Sequence, residues 1–374
     1  MTMIIQKIET FQTHVPLIKP FKTALRTVTA AEAIIVKITC EDGRIGWGEA
    51  PPTAVITGET LQSLEGAIHY HLKPALLKGD LLNHEEIFHR IQTCMTGNGS
   101  AKAAVDMAIY DLVAQRSGLP LYQFLGGYKN RLETDFTVSV NEPSEMADDA
   151  RQYIREGFDV LKVKVGKDDI EKDIRRIQAI REAIGREVQI RLDANQGWGA
   201  KEAVRAIKKM EDSDLGIELI EQPVPAHDLN GLKWVTDHVD TPIMADESVF
   251  SPLQALEVVK HRCADLINIK LMKAGGIHQA IKINVLAEAA GMECMVGSMI
   301  ESRLGITAAA HFAASSRNIT RYDFDAPLML AHDFLEGGAT YEGKQIRLSE
   351  SPGLGVKHIH FEKGRITNEG KVSS

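Results

Sequence analysis

The stretch DVLKVKVG, residues 159–166, alternates as a strand does, with Leu161, Val163 and Val165 on one side and Val160, Lys162 and Lys164 on the other. On a half-exposed antiparallel strand the two lysines would simply face water, which is the ordinary meaning of such a pattern. The surroundings argue otherwise. From about Phe136 onward, short apolar runs ending in polar residues alternate with amphipathic helical stretches, at intervals of roughly 25 to 30 residues. The runs are TDFTVSV, VLKVKV, VQIRLD, IELIE, PIMAD, DLINIK, MECMV and NITRYDFD, with stretches such as IEKDIRRIQAIREAIG and PLQALEVVKHRC between them. Eight strands with helical crossovers predict an α/β fold built on a parallel barrel, closed by a helix-poor eighth strand. An open doubly wound sheet is the competitor, but its first turn usually carries a glycine-rich phosphate loop, and here that turn reads SVNEPSE. In a barrel, helices cover the outer face and side chains fill the inner one. Leu161, Val163 and Val165 suit helix packing, so Lys162 and Lys164 point inward.

Ahead of the barrel, IIQKIETFQTHVPL and AEAIIVKITCEDGRIGWGEA read as antiparallel strands, followed by helical stretches through SAKAAVDMAIYDLVAQRSG. This predicts an α+β domain over 1–128, a barrel over 129–326 and a C-terminal segment over 327–374 that packs back on the first domain, its end NEGKVSS reading as a frayed terminus. The chain has 374 residues and is 44% hydrophobic, enough for a sizeable buried core. A net charge of -8 without a long Lys/Arg cluster excludes nucleic acid as a partner and disfavours an acidic membrane surface. No apolar run is long enough to span a bilayer, and the N-terminus lacks a signal-type apolar core. The four cysteines lie far apart without CxxC spacing, which suits free thiols and a cytoplasmic location.

Functional groups of a barrel collect at the C-terminal ends of its strands. There the third, fourth and fifth strands carry Asp193 (RLDAN), Glu221 (LIEQP) and Asp246 (MADES). Any one of them could be a helix cap or a surface group. Three carboxylates at equivalent positions on adjacent strands would repel in a dry mouth unless a cation joined them, and an all-oxygen donor set favours Mg²⁺ before Mn²⁺. Asn195 and Glu247 are supporting candidates. The sixth strand ends on Lys270, half the barrel's circumference away from Lys164 on the second. Two lysines approaching from opposite sides suit a two-base mechanism, in which a substrate carboxylate on the metal acidifies its α-proton by stabilising the enediolate. One lysine removes the proton and the other returns it. A basic lysine must be neutral part of the time, and Lys162 would supply a second ammonium that lowers its neighbour's pKa, or else contact substrate. The bland alternative is a lysine paired with a barrel carboxylate.

The motifs KVK, DAN, EQP, ADES and NIKLMKAGG, in this order, resemble the enolase superfamily, muconate-lactonizing subgroup, and the resemblance covers nearly the whole chain. GWGEAPP and SAKAAVDMAIYDLVAQRSGLPLYQFLGG look like that family's capping domain over a (β/α)7β barrel. The resemblance implies one Mg²⁺ on Asp193, Glu221 and Asp246, with Lys164 and Lys270 as acid/base residues. Within the subgroup the eighth strand separates the activities. Its RYDFDAP here places Asp323 and Asp325 together, which resembles the dipeptide epimerases, where such a pair holds the α-ammonium of the substrate. The other reading is that one of them caps the following turn. In KPFKTALRT, a polar loop around Pro20 expected to close over the mouth, Arg26 is the candidate for an acidic substrate side chain, with a structural arginine as the alternative. Thr137 and Ser298 complete the expected substrate contacts. The resemblance is nearest to epimerases acting on L-Ala-D/L-Glu dipeptides, which implies a role in recycling cell-wall peptides; a homo-oligomer is expected. An N-acylamino acid racemase or a cycloisomerase would share everything except the need for Asp323 and Asp325. A binding protein that had lost the chemistry should have lost a lysine or a ligand, and none is missing.

Overall fold

A computed structural model describes residues 2–361; the end NEGKVSS lies outside the described residues. Each of the eight apolar runs forms a strand: β5 (Phe136–Val138), β6 (Val160–Lys164), β7 (Gln189–Asp193), β8 (Ile217–Glu221), β9 (Ile243–Ala245), β10 (Leu266–Ile269), β11 (Glu293–Val296) and β12 (Ile319–Tyr322). Three strands precede them, β1 (Ile5–Lys22), β2 (Thr27–Cys40) and β3 (Ile45–Ala50), then the short β4 (Arg131–Glu133); β13 (Leu335–Gly337), β14 (Thr340–Glu342), β15 (Gln345–Arg347) and β16 (Val356–Ile359) follow. β5 to β12 lie side by side in chain order and are parallel throughout. Helices fill the first seven crossovers, and after β12 comes only a short 3-10 turn, Ala326–Met329. The Asp135 N–H donates to the Tyr322 carbonyl at 3.2 Å across the seam between the last strand and the first. The architecture is a (β/α)7β barrel with an α+β capping domain from the N-terminal part of the chain.

Alternation in β6 works as expected. Leu161, Val163 and Val165 are fully buried, and so are Lys162 and Lys164, at 1% and 6% exposure, so neither face of this strand is wet. Beyond it the backbone turns at Gly166, with φ +82; a Cβ there would stand 2.3 Å from the Ala194 carbonyl, so only glycine lets the second and third strand ends meet.

In the capping domain, β1, β2 and β3 form an antiparallel sheet against the helix Gly99–Ser117. Gly48 allows that approach, since a Cβ would fall 1.9 Å from the Ala104 carbonyl. KPFKTALRT is not a loop around Pro20. β1 runs through Pro20 to Lys22, pairing with β2 across a register shift between Pro16 and Phe21, and only 23–26 turn. A proline lacks a ladder donor, and the irregular stretch of this outer strand is where one is tolerated. The tip is fastened to the barrel's first loop: the Val140 N–H donates to the Lys22 carbonyl at 3.1 Å, and Lys22 Nζ donates to Asn141 Oδ1 at 2.6 Å. Buried carboxylates join the two parts elsewhere. Glu49 accepts from the N–H groups of Ser302 and Gly305, both at 2.8 Å, at the start of the helix Arg303–Ala314. Asp106 accepts from the Ile277 N–H at 2.6 Å, at the start of Ile277–Ala289.

The C-terminal segment touches both parts. β15 pairs with β4 next to the barrel, while Phe361 stacks on Phe11 of β1 with ring centroids 4.4 Å apart.

Candidate active site

β7 and β8 end in register on Asp193 and Glu221, and Asp246 follows β9 directly. All three side chains are buried. Gln222 helps to set this edge, its Oε1 accepting from the N–H groups of Asp246 at 2.9 Å and Ser248 at 3.1 Å. Four ammonium groups reach the carboxylates. Lys164 Nζ lies 2.6 Å from Asp193 Oδ2; Lys270 Nζ lies 2.7 Å from Asp246 Oδ2 and 3.9 Å from Glu221 Oε1. Lys162 Nζ is 2.7 Å from Glu221 Oε2, 3.1 Å from Asp193 Oδ2 and 2.7 Å from Asp323 Oδ2. The fourth, Lys273, is 2.6 Å from Asp246 Oδ1.

Above this layer opens a cavity lined by Lys162, Lys164, Lys270, Asn195, Glu247, Thr137, Ser298, Asp323, Asp325 and Arg26. Every residue singled out from the sequence therefore lies in the mouth or directly beneath it. Asn195, at φ +41, donates its N–H to Asp193 Oδ1 at 2.9 Å and its Nδ2 to Glu247 Oε1 at 3.3 Å. Ser298 Oγ reaches the Asp323 carbonyl at 3.4 Å. Asp325 does begin the turn Ala326–Met329, but its side chain makes no cap; Oδ2 instead accepts the Thr137 N–H at 2.6 Å. Arg26 has no carboxylate partner among the described residues, and burial lowers its pKa. An uncompensated guanidinium facing a cavity is suited to an incoming carboxylate.

Sequence reasoning missed several members. Lys273 sits on the short helix Leu271–Ala274, off the strand alternation that exposed Lys270. Phe21, Leu25, Val55, Ile56, Met299 and Ile300 wall the cavity. In the sequence they are apolar residues like any others, and only the meeting of the capping domain with the barrel mouth distinguishes them.

The electrostatics follow from packing like charges in a dry space. Burial pushes the Glu221 carboxyl up to about 7, reinforced by Asp193 and Asp246 on either side. Asp193 falls to about 2 because Lys164 and Lys162 outweigh its burial. Burial disfavours the Lys162 ammonium, yet Asp323, Glu221 and Asp193 together raise its pKa well above the ordinary lysine value. Lys162 thus meets carboxylates on its charged end, and the simple picture of it as a repulsive neighbour of Lys164 is incomplete. Lys270 is likewise raised, Asp246 and Glu221 outweighing its burial. Burial and then Asp323 lift Asp325 to about 7.

Among the described residues no three His, Cys, Asp or Glu side chains are gathered as a ready metal cage, because the lysines stand between the carboxylates. The donor chemistry nevertheless fits a hard divalent cation: three carboxylates on neighbouring strand ends, with neither thiolate nor imidazole near. Buried oxygens at the same place, Glu247 Oε2 and Asn195 Oδ1, have no hydrogen-bond partner among the described residues, while Asp246 Oδ1 is paired with the Lys273 ammonium.

Residues 6–126 match the mandelate racemase / muconate lactonizing enzyme N-terminal domain, and residues 145–359 match the enolase C-terminal domain-like family. The chain is 66% identical over 362 residues to an L-Ala-D/L-Glu epimerase of Bacillus subtilis, covering 97% of this chain and 99% of that one. A substrate-liganded structure of an L-Ala-D/L-Glu epimerase from Bacillus subtilis superimposes with a TM-score of 0.95 at 65% identity, over 96% of this chain and 99% of that one. A dipeptide epimerase from Enterococcus faecalis, complexed with Mg and L-Leu-L-Tyr, gives 0.92 at 46% identity, over 95% of this chain and 100% of that one. With both parts of the chain matched, and relatives of this identity over nearly its whole length, the protein belongs to the mandelate racemase / muconate lactonizing enzyme family of the enolase superfamily.

Proposed function

We propose that this chain is an isomerase that epimerises dipeptides at an α-carbon, with Ala-Glu as its preferred substrate and Mg²⁺ as its cofactor. The observation that carries the reading is the composition of one mouth: lysines from opposite strands, a carboxylate pair not needed for the metal, and an unpartnered guanidinium. Names and ligands of the similar proteins support it.

Asp193, Glu221 and Asp246 would hold the cation, with Asn195 and Glu247 orienting them. When bound, Mg²⁺ would draw charge from the substrate carboxylate, acidifying the α-proton, and offset the carboxylate charge that raises the pKa of Lys270. The chain's own groups do the rest. Asp323 and Asp325 receive the substrate ammonium, and Arg26 receives the glutamate side chain. That fixes the α-carbon between Lys164 and Lys270. One Nζ takes the proton from one face, and the other Nζ delivers a proton to the opposite face, inverting the centre; the reverse reaction exchanges their roles. Lys162 ties Asp323 to the metal-binding carboxylates and keeps the recognition pair in register with them. The division into a capping domain over 1–128, a barrel over 129–326 and a returning segment assigns recognition of the side chain to the hairpin tip and chemistry to the barrel. Such a substrate suits a cytoplasmic role in recycling cell-wall peptides.

The test is to incubate the Mg²⁺-loaded protein with L-Ala-L-Glu in D₂O and follow the α-protons by NMR. Appearance of the L,D epimer, deuterated at the glutamate α-carbon, is expected. Turnover of N-acylamino acids in preference to free dipeptides would replace this reading with a racemase.

A further inference from the structure

The barrel seam is irregular at one residue, Phe324, which separates the two recognition carboxylates. In a parallel ladder a residue sends its N–H to one residue of the neighbouring strand and receives at its C=O the N–H two positions further on. Asp135 begins in this way, donating to the Tyr322 carbonyl. The next two rungs should join the Phe324 N–H to the Asp135 carbonyl and the Thr137 N–H to the Phe324 carbonyl. Neither forms. The Phe324 N–H goes to Thr134 Oγ1 at 2.8 Å, and that hydroxyl donates onward to the Asp135 carbonyl at 2.9 Å. The Phe324 carbonyl is taken by the Tyr341 hydroxyl at 2.8 Å. Thr137, freed of its rung, gives its N–H to Asp325 Oδ2 at 2.6 Å.

Every polar backbone group at a buried seam needs a partner. Two hydroxyls occupy both sides of Phe324, one from the residue before Asp135 and one from β14 in the C-terminal segment. The Thr137 amide is thereby left for a carboxylate. We infer that Thr134 and Tyr341 are positioning residues for substrate recognition, holding the seam open so that Thr137 can fix Asp325 toward the ammonium of a dipeptide. The inference rests on the dipeptide reading above for its ligand. Without the Tyr341 hydroxyl, the Phe324 carbonyl would be buried unpaired. The Thr137 N–H would then be drawn back to its ladder rung, and Asp325 would lose its backbone anchor, keeping only the Thr137 side chain.

Tyr341→Phe and Thr134→Val each remove one hydroxyl with little change of shape, and Thr134→Ser restores one of them. Two readouts serve. In threonine-¹⁵N-labelled protein the Thr137 amide proton, short-bonded to a carboxylate, should resonate downfield and move upfield in Tyr341→Phe and Thr134→Val but not in Thr134→Ser. In calorimetry with L-Ala-L-Glu and the Mg²⁺-loaded protein, both hydroxyl deletions should weaken Kd about five- to tenfold, as expected for a lost hydrogen bond to a charged group. In an Asp325→Asn background they should weaken it less than twofold, because the anchored charge is already gone. An unmoved Thr137 amide overturns the inference whatever the protein binds. So does equal weakening in both backgrounds, which would mean a general loss of structure. A wild type that binds no free dipeptide would overturn the proposed function, while the amide signal still decides the seam. Should Tyr341→Phe fail to fold, Thr134→Val carries the same comparison.

Discussion

Lys162 and Asp323 form a buried ion pair at 2.7 Å, and the same ammonium stands 2.7 Å from Glu221. One cation thus belongs both to the pair proposed to recognise the substrate and to the set proposed to hold the metal. Removing it takes one partner from each of three carboxylates, Asp193, Glu221 and Asp323. Lys162→Met should cost roughly 3 to 5 kcal/mol of stability in metal-free protein, the usual penalty for breaking a buried pair from one side. Saturating Mg²⁺ should recover part of that loss, since it returns positive charge to Asp193 and Glu221. Urea denaturation with and without Mg²⁺ checks this, and an equal loss in both conditions would contradict the shared role.

Metal dependence should be complete in activity and visible in stability. Chelation is expected to abolish turnover, Mg²⁺ to restore it and Mn²⁺ to substitute, with the melting temperature rising with free cation concentration as for any ligand bound only by the folded state. Full turnover in verified metal-free protein would remove the central claim.

Lys164 and Lys270 contact different carboxylates of the same set, Asp193 and Asp246. Either changed to Ala should stop epimerisation, lowering kcat by at least about a thousandfold, within the range general acid–base catalysis contributes. Each variant should still exchange the α-proton of one epimer with D₂O and not of the other. Proton exchange from both epimers in either variant would rule out one lysine per face.

Asp323→Asn or Asp325→Asn should lower kcat/KM for free dipeptides by roughly 2 to 5 kcal/mol, the cost of taking one partner from a buried charge pair. Acetylating the substrate's amino group should do the same to the wild type. Arg26→Ala differs in kind: turnover of Ala-Glu should suffer while dipeptides with a neutral second residue are much less affected. An Arg26→Ala protein that retains full preference for Ala-Glu would remove the assigned glutamate contact.

His311 makes the acid stability predictable. It is fully buried, its Nδ1 accepts the Tyr122 N–H at 3.0 Å, and burial pushes its pKa down to about 3. An unfolded histidine titrates near about 6.5. Between these values the unfolded chain binds the extra proton, so the neutral ring's contribution is fully present above about pH 6.5 and declines as pH falls toward about 3, by on the order of 5 kcal/mol at the limit. Denaturation of the wild type and of His311→Gln at neutral pH and near pH 4.5 should show the steeper acid loss in the wild type. Parallel pH profiles would contradict it.

The barrel was legible because short apolar runs ending in polar residues alternate with amphipathic helical stretches at a regular interval. Lys162 and Lys164 within β6, and the acids ending β7 and β8, have no reason to sit there unless the inner face of the barrel is functional. Lys273 and Gln222 stayed hidden, since a short helix and a left-handed turn at φ +39 carry no strand period to flag them. Pro20 disguised the extent of β1, because a proline ordinarily ends a strand and here rides on an irregular stretch. Rearranged rungs around Phe324 depend on a tyrosine seventeen residues away in the chain, a pairing that no local pattern encodes.

Glu49 and Asp106 set a limit on how far this protein can be cut down. Each belongs to the N-terminal part of the chain, yet each supplies the first acceptor of a helix in the barrel, at Ser302 and at Ile277. A barrel expressed alone would leave the Ser302, Gly305 and Ile277 amides without the carboxylates that accept from them. Miniaturising the enzyme to its chemical half, or grafting this barrel beneath a foreign cap, therefore requires a replacement carboxylate at both helix starts before any question of substrate arises.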